Sequence, residues 1–169
     1  MAIRTLEEKF IHDLADIYDA EHRFLEAQQQ MLQQASAPQL KTMIQEHMDQ
    51  TRQQIGNLEQ IYSQLGSRPI RIKCDAAAGL VTEGQKGLQE AQANPAVRDC
   101  MIAGSVAKVE HYEVASYRGL LTAAEGMGQA QIASLLSQNL QQEEQTAHMV
   151  EQSTPMLLQQ AMSAQERGR

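Results

Sequence analysis

Apolar residues recur every three or four positions through most of the chain, the spacing of an α-helix with one buried face. Leu6, Phe10, Leu14, Ile17, Tyr18, Leu25 and Leu32 set the first such stripe and predict a helix over about residues 5–33. Thr5 followed by Glu8 forms a capping box that satisfies the free amides of its first turn. A short turn at Ala35-Ser36-Ala37-Pro38 places a proline in the first turn of a second helix, about 38–65. Its stripe is Leu40, Ile44, His47, Thr51, Ile55, Leu58 and Tyr62, and it ends near Leu65-Gly66. Residues 67–73 read as extended. A shorter helix over about 74–93 follows, interrupted by Gly79, Gly84 and Gly87. Asn94-Pro95 restarts the chain for a third long helix, about 95–125, closed by Gly126-Met127-Gly128. The fourth, about 129–153, carries Ile132, Leu135 or Leu136, Leu140, Glu143, Ala147 and Val150 inward. Thr154-Pro155 is expected to stop or kink it. Met156-Leu157-Leu158 would then dock as a separate short helix ahead of a frayed tail.

The pattern therefore predicts an all-α protein: two tight helical hairpins joined by a crossover of roughly thirty residues that carries an extra short helix. A bundle with uniformly short loops does not fit. With 169 residues the chain has the length of one domain, 1–169. Composition agrees, with four prolines, no tryptophan and 4% aromatics; strand-forming side chains are too sparse for a sheet.

Charge narrows the partners. Against 21 Asp and Glu stand 14 Lys and Arg, for a net charge of −7, and no basic block occurs. That argues against nucleic acid. The first residues carry charges where a signal peptide needs an apolar run, and no apolar segment reaches bilayer-spanning length. Cys74 and Cys100 form neither a CxxC motif nor a disulfide framework and read as small buried residues. These features fit a cytoplasmic protein.

Candidate chemistry lies where acids interrupt the apolar stripes. Val106, Val109, Glu110, Glu113, Tyr117 and Leu120 share one helix face, so two carboxylates occupy positions where aliphatics are expected. Glu21 falls in the first stripe, one turn after Ile17. Glu143 fits the fourth stripe better than its neighbour Glu144, and only one of the two can point inward. Helix two offers Glu46-His47, Gln50 and Gln54. Buried carboxylates are costly unless something neutralises them. A metal ion between bundled helices does so, and carboxylate oxygens with an imidazole nitrogen suit Fe or Mn. The candidate metal ligands are Glu21, His47, Glu110, Glu113, Glu143 and Glu144. No catalytic residue is singled out beyond them. Each also has a plainer reading: Glu21 as a solvated stripe edge, His47 as a core histidine with a hydrogen-bond partner, the acids as a polar core. His22 and His111 follow inward acids and are expected to face outward; His148, one turn after Glu144, reads as a surface partner or peripheral ligand. Tyr18, Tyr112 and Tyr117 lie near the acids and could supply hydrogen bonds or an oxidisable phenol.

Three runs also resemble a known family. Asp16-Ile17-Tyr18-Asp19-Ala20-Glu21, the crossover run from Lys73-Cys74-Asp75 through Gly84, and Lys108-Val109-Glu110-His111-Tyr112-Glu113-Val114-Ala115-Ser116-Tyr117 are similar to the YciE/YciF family of bacterial stress-associated proteins, over about residues 5–150. The resemblance implies a ferritin-like, rubrerythrin-like four-helix bundle, commonly a homodimer, with an intra-bundle di-metal site. The wider ferritin-like pattern asks for two Glu-x-x-His motifs. This chain contains none, and Thr146 or Ala147 stands where helix four would carry the histidine. The expected function is a stress-associated protein with a di-iron or di-manganese carboxylate site that oxidises Fe(II) or reduces oxygen or peroxide, served by a separate electron donor. The alternative is a metal-free helical dimer that binds another protein. A DNA-protecting iron-storage shell is disfavoured by the acidic charge.

Overall fold

The computed structural model describes residues 2–167, and among them every regular element is an α-helix. The elements are α1 (Leu6–Gln34), α2 (Pro38–Gln64), α3 (Asp75–Glu90), α4 (Pro95–Gly126) and α5 (Ala130–Arg167). None is long and apolar enough to cross a membrane. At the start of α1 the capping box forms as its sequence suggests: the Glu8 amide donates to the Thr5 hydroxyl at 3.1 Å, and the Thr5 amide to the Glu8 carboxylate at 3.3 Å. Gly66 and Gly128 close α2 and α4 with φ of 67° and 71°, a conformation glycine reaches without a Cβ clash.

The four long helices pack around a core divided into two apolar clusters. One gathers Phe10, Leu14 and Ile17 of α1, Leu58 and Tyr62 of α2, Leu120 of α4 and Ile132 and Leu136 of α5. The other gathers Met31, Leu40, Ile44, Ile102, Val150 and Leu157. The order in which each helix visits the clusters fixes its direction. α1 and α5 run one way, α2 and α4 the other, and α1–α2, α2–α5, α5–α4 and α4–α1 are the packed neighbours. This is the ferritin-like four-helix bundle with a long crossover. Because α2 ends at the first cluster and α4 begins at the second, residues 65–94 must travel the length of the bundle. α3 makes that passage on the outside of α1 and α4.

α3 is continuous, contrary to the expectation that its glycines interrupt it. Two of them mark close approach to α4: a Cβ on Gly84 would lie 3.4 Å from Ser105 Oγ, and one on Gly87 would lie 2.5 Å from the Met101 methyl. The fourth long helix also departs from the sequence reading, since α5 passes through Pro155 to Arg167 without a break. Proline removes one helical hydrogen bond, a local penalty. Docking overrides it: Leu157 and Ala161, four residues apart, bury themselves on the far side of the proline. Met156-Leu157-Leu158 is thus part of α5 rather than a separate helix. Gly168 and Arg169, at the end of the expected frayed tail, lie outside the described residues.

Two buried aspartates tie the connections down. Asp99 of α4 accepts the amides of Ser36 and Ala37 at 2.7 and 2.8 Å, pinning the turn that leads into α2, whose N-cap Ala37 has no side-chain acceptor of its own. Asp19 of α1 holds the crossover, accepting the Cys74 amide at 2.9 Å and the Arg71 guanidinium at 2.8 Å, with Arg23 alongside. The Cys74 thiol then caps α3, accepting the Ala77 amide at 3.3 Å. Burial alone would raise the Asp19 carboxyl, but the Cys74 amide, Arg23 and Arg71 outweigh it and hold it below its ordinary 3.8. Asp19→Ala is expected to cost about 2–4 kcal/mol, since it leaves the buried Cys74 amide without a partner. Denaturant titration checks this. The deficit should persist at every pH above the ordinary carboxylate value and close only as acid protonates Asp19 in the parent protein. A loss below about 0.5 kcal/mol would show the crossover held elsewhere.

Candidate metal centre

Between the two apolar clusters lies a polar layer to which all four long helices contribute. Glu21 comes from α1, His47 and Gln54 from α2, Glu110 and Glu113 from α4, and Asn139 and Glu143 from α5; all are buried. His47, Glu110, Glu113 and Glu143 each offer a ligating atom, and these four atoms lie within 4.8 Å of one another. Glu21 closes the layer from α1, with one oxygen accepting the Tyr117 hydroxyl and the other without a partner. Glu144 does not join them. It follows Glu143 by one residue, a rotation of about 100°, and sits exposed with its carboxylate 2.6 Å from Arg118. The helical phase that buries the one acid turns the other to solvent, as it does Glu46 beside His47.

Further polar groups frame the acids. Gln54 donates to Glu143. Asn57 donates to Asn139 at 2.7 Å, and Asn139 donates in turn to the Tyr117 hydroxyl at 3.1 Å. A chain thus runs Asn57–Asn139–Tyr117–Glu21. Of the three candidate tyrosines only Tyr117 reaches the layer: Tyr112 donates to Asp16 at 3.0 Å, and Tyr18 to Glu59 at 2.9 Å. Gln54 is one of the groups that helix two was expected to offer, whereas apolar periodicity could not reveal Gln28, Asn57 or Asn139, because an uncharged polar residue in a helix reads as its outer face. His111 and His148 stay at the surface, bound to Glu151 and Gln152 at 2.8 Å each.

The acids are not satisfied by this frame. Both oxygens of Glu110, one each of Glu21, Glu113 and Glu143, and both ring nitrogens of His47 lack a hydrogen bond. His47 Nε2 and Glu110 Oε1 stand 2.9 Å apart without the alignment of one. Lone pairs converge on a common space instead of on each other. Electrostatics follow from that crowding. Burial pushes the Glu110 carboxyl up to about 8, with Glu143 beside it pulling down and the Glu21 charge adding to the rise. Glu21, Glu113 and Glu143 are held well above the ordinary carboxylate value, by burial first and then by neighbouring charge, that of Glu143 on Glu21 and Glu113 and that of Glu110 on Glu143. Four carboxyls so close in a dry core cannot all ionise unaided. The layer requires either protons or a cation. One imidazole and several carboxylates form the donor set that iron and manganese accept, and the converging, unpartnered oxygens and nitrogens fit such an ion.

A four-helix bundle with a helix-bearing crossover and a buried carboxylate–histidine layer is the class that fold and site define. Residues 5–163 match the family described as Domain of unknown function (DUF892), and the chain belongs to that family. Protein YciF of Escherichia coli (strain K12) is 35% identical over 147 residues, covering 86% of this chain and 88% of the relative. The crystal structure of that E. coli stress protein superposes with a TM-score of 0.87 at 31% identity, over 93% of this chain and 99% of the other. YcfI of Rhodopseudomonas palustris, provisionally described as a structural protein, gives 0.86 at 34% identity, over 88% and 94%. A Xanthomonas campestris protein at 22% identity shares the fold, with a TM-score of 0.79 over 96% of this chain and 99% of the other.

Proposed function

We propose that the buried layer holds iron or manganese, with His47, Glu110, Glu113 and Glu143 as ligands, in a cytoplasmic protein that serves a stress response. The observation that carries this reading is the convergence of those four buried side chains, their lone pairs unpartnered and within 4.8 Å of one another. Glu21 supplies the further carboxylate that a second ion would need. A bound ion of this kind supplies one-electron redox chemistry. The chain's own residues do the rest: the apolar clusters on either side exclude water, Gln54 orients Glu143, and the Tyr117 hydroxyl, held by Asn139, donates to Glu21. The similarity to a protein described as a stress protein supports the physiological setting.

A second reading is favoured by the burial of four carboxyls side by side: without a cation they avoid mutual repulsion by staying protonated and neutral. The bundle would then be a metal-free structural module, paired with a second copy of itself, in keeping with the description given to the R. palustris relative. Metal content decides between the two. Protein purified without chelator from iron- and manganese-supplemented cells is expected to carry at least one such ion per chain by mass spectrometry, removable by chelation at low pH. A content far below one, unchanged by supplementation, would overturn the metal reading in favour of the structural one.

A further inference from the structure

A cavity of about 20 Å³ lies beneath α3, where the crossover helix covers the seam between α1 and α4. That is room for about one water molecule. Hydrocarbon from Phe24, Met31, Val81 and Val109 makes much of its wall, but Gln28, His47 and Glu110 line it too. Gln28 is only 4% exposed, and its Oε1 has no partner. Neighbouring bonds fix which way its amide points. The Thr51 hydroxyl gives its single proton to the His47 carbonyl, one turn back on α2, at 3.1 Å. The hydroxyl oxygen is then left to accept, and it accepts Gln28 Nε2 at 3.1 Å. The amide nitrogen is thereby committed to Thr51, and the amide oxygen is left needing a donor.

We propose that the cavity binds a single ordered water that bridges Gln28 Oε1 to His47 Nδ1, and that Gln28 is, through this water, a positioning residue for His47. Nε2 is the ring nitrogen turned to the acids, 2.9 Å from Glu110 Oε1. That leaves Nδ1 on another edge of the ring. A water that donates to the Gln28 oxygen can accept from Nδ1–H and give its second proton to a Glu110 oxygen that has no partner. Three such bonds are the usual complement of a buried water. With the proton held on Nδ1, the Nε2 lone pair is free for an ion. An apolar side chain at position 28 would leave the tautomer unset. The positioning of a ligand rests on the metal reading above, whereas the water and the Nδ1 proton do not, so the two can fail separately.

Two measurements on the metal-free full chain test the bridge. Nitrogen-15 NMR of the His47 ring is expected to find a proton on Nδ1. A crystal structure is expected to show a water within about 3.2 Å of both Gln28 Oε1 and His47 Nδ1. A bare Nδ1, or a site without that water, overturns the proposal. Titration with Mn(II) reads the positioning role. Gln28→Leu keeps the bulk, removes the acceptor and is expected to weaken Mn(II) binding about ten-fold. Gln28→Glu, buried and so protonated, keeps a carbonyl for the water and an O–H for Thr51. It is expected to hold affinity within about three-fold of the parent. Equal losses in the two variants would make Gln28 a packing residue, and full affinity in Gln28→Leu would uncouple it from His47; either overturns the positioning role. Should the parent protein bind no Mn(II), the metal reading and the positioning role fall together, while the water and the Nδ1 proton stand or fall on the first two measurements.

Discussion

Exchanging Glu110 for glutamine is expected to lower the affinity for Mn(II) or Fe(II) by about 100-fold or more while leaving the metal-free bundle folded. Loss of an outer partner of a metal ligand already costs about 10–100-fold, and Glu110 stands among the ligands themselves. Both of its oxygens are free of hydrogen bonds, and one faces His47 Nε2 at 2.9 Å. The amide keeps the shape of a protonated carboxyl but cannot become an anion. Since Glu110 holds its proton up to about 8 when no ion is bound, glutamine copies the state the metal-free protein already adopts at neutral pH. Folding should therefore survive where ion binding does not, which separates this variant from an alanine that also opens a void. Isothermal titration with Mn(II), alongside denaturant unfolding in chelator, measures both quantities. Undiminished Mn(II) affinity would remove Glu110 from the ligand set.

The metal-free protein is expected to lose stability as pH rises from about 5 to 9, by several kcal/mol, and Mn(II) should restore progressively more of it over the same range. The sign follows from where the protons sit. An unfolded glutamate releases its proton near 4.5, whereas folded Glu110 keeps it to about 8. Between those values the folded state binds more protons, so raising the pH favours unfolding. Glu21, Glu113 and Glu143 are displaced in the same direction and titrate as one coupled group with it. Every tenfold difference in a carboxyl's acidity between the folded and unfolded chain corresponds to about 1.4 kcal/mol. Below about pH 5 protons compete with the ion; above about 8 they do not, so stabilisation by Mn(II) should be largest there. Unfolding midpoints in chelator and in Mn(II) at about pH 5, 6.5 and 8.5 check the claim. A metal-free midpoint that rises with pH would show the layer to be hydrated and ordinary. Glu110→Gln should flatten part of the slope, because the amide has no proton to lose.

Helical phase made most of the architecture legible in advance. The apolar stripes placed four long helices and a short crossover helix, because each buries one face and little else decides its existence. The same phase placed Glu21, Glu110, Glu113 and Glu143 inward and resolved Glu143 from Glu144. What phase cannot report is which inward groups meet. His47 is drawn into the acids by packing of α2 against α5, and Asn57 and Asn139 enter as hydrogen-bond partners that no stripe distinguishes from a solvated face. Asp19 and Asp99 were illegible for the same reason: their partners are 55 and 62 residues away in sequence. Pro155 shows the converse. A strong local rule against helix yielded to the burial of Leu157 and Ala161, contacts that exist only once the second cluster has formed.

The polar layer also acts as a ruler along the bundle axis. Aliphatic clusters tolerate sliding, since one leucine substitutes for another when a helix slips by a turn. Carboxyls do not. Moving α4 by one turn, about 5.4 Å, would carry Glu110 and Glu113 away from His47 and Glu143 and set them against the hydrocarbon of one cluster or the other. The mismatch penalises every height but one. Four helices that bury similar side chains along much of their length are thereby held at a single vertical alignment, before any ion is bound.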